Sequence, residues 1–286
     1  MAWGEGTEAP FAKVGVLGGL RFALFAVIFV VGTLPLISLT LLAYLVERIS
    51  GGRGLSDVFI KAWGRMGRLL CGLKLEVRGK ELAQGGALVA NHVSWSDIFV
   101  LHDAAHIHFV AKSEVKSWPG IGFLANVTGT IFIERRATEA KRQQQQLKER
   151  LQKGDKLCFF PEGTSSDGRR VLPFKSALFS AFHTPELLPH MWVQPVSVTY
   201  FAPKSQSSRF FGWWGNMSFG GHMRTVFALG RGGRVRVTYH QPVRAADFAD
   251  RKRLATHCET VVRAGMAADL AEVGQEMAAD QAKAAQ

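Results

Sequence analysis

The sequence predicts an α/β domain built on a mainly parallel sheet flanked by helices, preceded by an N-terminal membrane-associated helical segment. Three observations carry this. Short apolar, strand-like runs alternate with helical stretches from about residue 73 onward. Several of those runs end in polar side chains, as strands do where an open α/β sheet places its ligands. Ahead of them, Phe22 to Val46 is 25 residues without a charge.

That run comes first. As a helix it would reach about 37 Å, against roughly 30 Å of bilayer hydrocarbon. It is too long for a cleavable signal, and no small-residue cleavage site follows it. Pro35 near its middle leaves both a kinked span and a helical hairpin entering one leaflet open. Bases flank both ends, Lys13 and Arg21 before and Arg48 and Arg53 after, so flanking charge does not set an orientation. GGRG (51–54) reads as a flexible joint.

Beyond the joint, Asp57 to Leu73 has an amphipathic helical period. LKLEVRG (73–79) alternates like a half-buried strand, and GALVANH (86–92) is a buried strand with a polar end. Ser96 is placed to cap a helix from Asp97 to about Ala105. IHFVAK (107–112) is a strand, followed by a turn and short helix around 118–127, then TIFIE (130–134). Thr138 to Lys153 is a charge-rich helix stopped by Gly154. KLCFFPEG (156–163), WVQPVSVTY (192–200) and RVRVTYHQPV (234–243) supply further strands. Residues 1–54 are therefore expected to form a membrane-anchoring segment, 55–262 the folded domain, and 263–286 an Ala-rich surface tail that frays.

Composition narrows the partners. Net charge is +12, and residues 1–60 sum to zero, so the excess sits in the folded domain. A basic domain suggests anionic partners, either nucleic acid or lipid headgroups and phosphorylated carriers. Nucleic acid explains the charge but not the apolar run, so no nucleic-acid partner is expected. Cys71, Cys158 and Cys258 are scattered and odd in number, which fits a reducing compartment. The expectation is a chain held at an inner membrane with its domain on the cytoplasmic side.

Three segments carry candidate chemistry. In Asn91 to Asp97, a histidine and a carboxylate five residues on can meet across a turn. The carboxylate then orients an imidazole that accepts a proton from an alcohol. The same spacing also describes a helix-start acid beside a satisfied buried imidazole. In Gly129 to Arg135, a strand delivers an arginine whose fork suits an anionic headgroup, or simply a surface charge. In Phe159 to Ser166, proline ends a strand and glycine permits close backbone approach. Amides near Pro161–Gly163 are candidates for an oxyanion site, and Glu162 either binds an acceptor hydroxyl or braces backbone.

Together and in this order, the segments resemble the glycerolipid acyltransferase family that includes 1-acylglycerol-3-phosphate acyltransferases. Its Asn-His-x4-Asp block is matched by Asn91, His92 and Asp97. Its Gly-x-x-Phe-Ile-x-Arg block is matched by Gly129, Phe132, Ile133 and Arg135. Its Phe-Pro-Glu-Gly-Thr-Arg-Ser block is matched at Phe160 to Thr164 and Ser166, and a proline-centred block at Pro195. The resemblance covers roughly residues 65–245. It implies that His92 is the general base and Asp97 its partner, with Arg135, Glu162, Gly163 and Thr164 at the acceptor site. It also implies an acyl-carrier-protein or coenzyme A thioester as donor, a lysolipid acceptor, and no metal or other cofactor.

One position departs. Ser165 stands where the family usually has an arginine associated with acceptor phosphate; Arg135, Arg169, Arg170 and Lys175 are the candidate anion-binding substitutes. FPEGTSSDGRRVLPFKSALF, QPVSVTY and WWGNMSF are similar to the lyso-ornithine lipid acyltransferase branch, whose acceptor carries no phosphate. Formation of phosphatidic acid is the alternative. Two other classes stay in view: a metal-dependent lipid hydrolase using His102, His106 and His108 with Asp103, and a non-catalytic membrane adaptor. The aromatic cluster Phe210, Phe211, Trp213, Trp214 and Phe219 reads as core packing or as an interfacial anchor.

Overall fold

The computed structural model describes residues 13–134, 137–180 and 183–284. Helix α1 (Val16–Ser50) leads into α2 (Leu55–Leu70) and then strands β1 (Leu73–Arg78) and β2 (Gly86–Ala90). Next come α3 (Asp97–Ala104), β3 (His108–Lys112), α4 (Ile121–Val127), β4 (Ile131–Ile133), α5 (Ala137–Gln152) and β5 (Lys156–Phe159). The chain closes with β6 (Trp192–Phe201), α6 (Phe219–Leu229), β7 (Gly233–Tyr239), β8 (Val243–Arg244) and α7 (Arg251–Ala284).

The strands form one sheet in the order β1-β7-β6-β2-β5-β3-β4, with β8 also on β6. From β6 to β4 every pairing is parallel. β7 runs antiparallel to β6 and carries β1 parallel to itself, so that edge is reversed. The reversal follows from α6, which the sequence reading missed among its glycines and aromatics. It returns the chain to the end of the sheet where β6 stopped, and Arg234 pairs with Phe201. RVRVTYHQPV is likewise two strands, because the chain bends at His240 before β8 rejoins β6.

Alternation along the strands builds two cores. Leu88 and Ala90 of β2, with Val196, Val198 and Tyr200 of β6, face α2, α3 and α6. Ala87 and Val89, with Val193, face α5 and α7. Helix α7 crosses residue 263 without a break. Met266, Asp269 and Val273 are buried beyond it, so at least that part of the expected fraying tail packs on the domain.

Helix α1 is one uninterrupted helix through Pro35, not a hairpin. It lies along the domain: Phe22, Phe25, Phe29 and Leu36 pack on the core, and Trp63 Nε1 donates to Thr33 Oγ1 at 3.2 Å. Its other face exposes a long row of apolar side chains that includes Leu24, Val27, Val31, Leu34 and Leu41. The joint after it turns on Gly51 at φ 71°, a left-handed conformation suited to glycine. Arg53 ties that joint to Asp155 and the Lys153 carbonyl.

Candidate active site

Parallel neighbours end at the same edge, so the sheet order itself gathers the chemical segments. The polar stretch after β2, the Pro-Glu-Gly turn after β5 and Lys112 at the end of β3 are brought side by side at the carboxyl ends of the strands. β6 flanks the first of them, and Asn91 extends the pairing there. Its side-chain Nδ2 donates to the Val198 backbone carbonyl at 2.9 Å, and its side-chain Oδ1 accepts from the Val198 backbone amide at 2.8 Å.

Held by that clamp, the chain turns back on itself at His92. His92 Nδ1 lies 2.7 Å from Asp97 Oδ2, which also accepts the backbone amides of Val93 (2.8 Å) and Ser94 (3.1 Å). The carboxylate is wholly buried, while 19% of the imidazole side chain is exposed. A carboxylate at Nδ1 fixes the tautomer with the proton there, leaving the Nε2 lone pair to point outward. The ring stacks on Phe160 with centroids 4.2 Å apart, so rotation out of line is blocked on one side. Ser96, expected to cap α3, instead bonds the Tyr200 hydroxyl at 3.0 Å.

Glu162 is 1% exposed, and both of its oxygens are committed. Oε1 accepts the His92 backbone amide at 2.6 Å and Oε2 accepts that of Leu172 at 2.8 Å. The geometry is that of the bracing alternative, with one backbone amide on each oxygen and the carboxyl buried away from the surface. Burial pushes its carboxyl up to about 8, against the pull of the two amides. The oxyanion expectation also needs correcting at its centre. The Gly163 amide donates to the Phe160 carbonyl at 3.1 Å, and Pro161 has no amide hydrogen.

Gly163 takes φ 68°, and a side chain there would meet the Lys175 ammonium at 2.8 Å. Lys112, which the sequence reading passed over as a strand end, donates to the Gly163 carbonyl at 3.1 Å. Two lysines therefore flank this turn. Thr164 and Arg169 are exposed, and Arg170 pairs with buried Asp167 at 3.1 Å. Arg135 lies outside the described residues. Ser165 is tucked inward, its hydroxyl donating to the Trp213 carbonyl.

The histidine cluster disperses. His102 is buried against Trp63 and Phe109, and burial lowers its imidazole to about 3. Asp103 is ion-paired with Arg68 at 2.6 Å and with Arg65 at 3.2 Å, while exposed His106 sits 3.6 Å from Asp57. Among the described residues no three His, Cys, Asp or Glu side chains group as metal ligands. All three thiols are buried, which raises them well above the usual cysteine range. Phe211 and Trp214 of the aromatic cluster are core residues.

The acyltransferase family profile matches residues 74–199, the span that holds these segments. The chain is 42% identical over 268 residues to a lyso-ornithine lipid O-acyltransferase of Rhodobacter capsulatus, covering 91% of this chain and 96% of that one. The chain belongs to the acyltransferase family. A Brucella abortus acyltransferase with the same name is 36% identical, over 82% of this chain and 91% of its own. The crystal structure of a 1-acyl-sn-glycerophosphate acyltransferase from Thermotoga maritima superposes with a TM-score of 0.61. It covers 88% of this acyltransferase and 94% of that chain at 23% identity, a likeness of fold. This chain is thus an O-acyltransferase.

Proposed function

We propose that this acyltransferase moves a fatty acyl group from an acyl-carrier-protein or coenzyme A thioester onto the hydroxyl of lyso-ornithine lipid. The observation that carries the mechanism is the His92–Asp97 pair, with a buried carboxylate on Nδ1 and an imidazole edge left open. As the lysolipid hydroxyl oxygen bonds to the thioester carbonyl carbon, His92 Nε2 takes the hydroxyl proton, and Asp97 stabilises the imidazolium. The tetrahedral intermediate then collapses, the C–S bond breaks, and the leaving sulfur takes the proton from the imidazolium. Products are an ester and a free thiol. A thioester is already activated and its thiolate leaves readily, so this transfer needs no metal.

Glu162 supports this reading as a brace that pins the His92 backbone to the neighbouring turn. Lys112 and Lys175, with Arg135, Arg169 and Arg170, supply positive charge for the headgroup carboxylate of the acceptor or the phosphates of the donor. The exposed apolar face of α1 suits a lipid leaflet. Because the helix stays against the domain from Arg21, which donates to the Ala228 carbonyl, to Glu47, which accepts from Ser56, it is read as lying in the membrane surface. This keeps the site where both lipids reside, on the cytoplasmic side.

Ser165 favours lyso-ornithine lipid over the phosphorylated acceptor. Its hydroxyl is turned to Trp213, where the family's usual arginine would add a phosphate contact. The test is acyl transfer in membranes carrying His92→Ala. A fall of about 10²–10⁴-fold is expected for loss of a general base, and wild-type rates would reject the assignment.

A further inference from the structure

Asp97 has two oxygens, and the His92 side of the site uses one. Three donors converge on Oδ2, while Oδ1 accepts the Tyr200 hydroxyl at 2.7 Å, the one donor to that atom among the described residues. Tyr200 sits near the end of β6, 103 residues away in sequence and in phase with Val196 and Val198, so the sheet aims its phenol at the start of α3. The phenol is 2% exposed, and burial next to the Asp97 carboxylate raises it well above the usual tyrosine range, so it stays a donor. Since it donates to Asp97, its oxygen is left to accept the Ser96 hydroxyl proton at 3.0 Å. The result is one chain of bonds, Ser96 to Tyr200 to Asp97, meeting His92 on the far oxygen.

We infer that Tyr200 is a positioning residue for the acyl-transfer reaction: its phenol locks the Asp97 carboxylate in the plane of His92 and moderates the pull that carboxylate exerts on the imidazole proton. This rests on the assignment of His92 as base. A buried carboxylate with one oxygen unsatisfied would rotate or seek another donor, and both changes loosen the His92 ring. A carboxylate relieved of the phenol would also attract the imidazolium more strongly. The other groups facing the pair do not compete for this role. The Cys158 thiol on β5 and the Cys71 thiol after α2 are held neutral by burial. Glu162 contacts the His92 backbone amide, and Lys112 and Lys175 lie at Gly163.

The experiment is Tyr200→Phe in the full-length enzyme in detergent–lipid micelles, measuring kcat and KM from about pH 5.5 to about pH 9, a window that contains the imidazole range. Tyr239→Phe is the control, because that phenol is also buried but its hydroxyl has no hydrogen-bond partner among the described residues. Tyr200→Phe is expected to lower kcat about 10- to 100-fold, the scale of one hydrogen bond to a charged group, with acceptor KM unchanged. The acid limb of its profile moves to higher pH. Ser96→Ala moves it the same way by less, and provides the reading if Tyr200→Phe fails to fold. Tyr239→Phe leaves the profile in place. A profile that drops in height without moving, or that moves equally in Tyr239→Phe, overturns the inference. An inactive His92→Ala enzyme beside an unmoved Tyr200→Phe profile overturns it alone; an active His92→Ala enzyme overturns it together with the assignment beneath it.

Discussion

Glu162 makes stability depend on pH in a direction opposite to that of an ion-paired carboxylate. Its carboxyl is buried between two backbone amides, and burial outweighs them, holding the proton to about 8 against an ordinary value of 4.5. Between those two values the folded chain keeps a proton that the unfolded chain has released. The stabilisation is therefore complete below about 4.5 and is lost as pH rises through about 8. Over the whole window the difference amounts to roughly 5 kcal/mol, a large share of the stability of a domain this size. Glu162→Gln abolishes the titration. Its carbamoyl oxygen can still accept one amide, but its NH₂ faces the other donor, so one bond is lost at a cost of about 1–3 kcal/mol. At pH 5 the variant should unfold before the wild type; by pH 8.5 the gap should close or reverse. Apparent Tm in detergent micelles at four or so pH values would show it. Two curves running parallel across the range would refute the reasoning, because they would mean that the buried carboxyl titrates alike in both states.

Ser165→Arg should shift acceptor preference toward 1-acylglycerol-3-phosphate, measured as the ratio of kcat/KM for the two lysolipids; an unchanged ratio removes Ser165 from the account of specificity. Gly64→Ala should lower Tm by the equivalent of about 1–3 kcal/mol, because the added methyl would overpack the α2–α3 contact. It would stand 2.8 Å from the Asp103 amide nitrogen and 2.9 Å from the Phe99 carbonyl oxygen, neither of which can swing aside. A Tm at or above wild type would show that the two helices can part at no cost. Replacing Val27, Val31 and Leu34 together by Asp should move the enzyme from the membrane pellet to the supernatant with its fold intact by circular dichroism. Retention in the pellet would mean that this face of α1 does not contact lipid.

The sequence by itself determined whatever depends on neighbours in the chain. Alternation in LKLEVRG and the apolar GALVA run marked β1 and β2 because side chains two residues apart share a face. The uncharged run from Phe22 marked α1, and the Asn-His-x4-Asp spacing marked a pair that one turn brings together. The tertiary structure decided what depends on strand order and register. Nothing local to Tyr200 reveals that β6 lies beside β2, so its phenol on Asp97 was not legible, although its phase with Val196 and Val198 showed which side it would face. Glu162 looked equally suited to a substrate or to backbone until the β2–β5 pairing set it under His92. The Gly163 amide looked available until the turn closed on Phe160. The uncharged run left a kinked span and a leaflet hairpin equally open, and only the fold shows one continuous helix with a face packed on the domain, where Trp63 reaches Thr33. Hydrophobic period is written in adjacent residues, whereas hydrogen-bond partners a hundred residues apart exist only once the sheet has chosen its order.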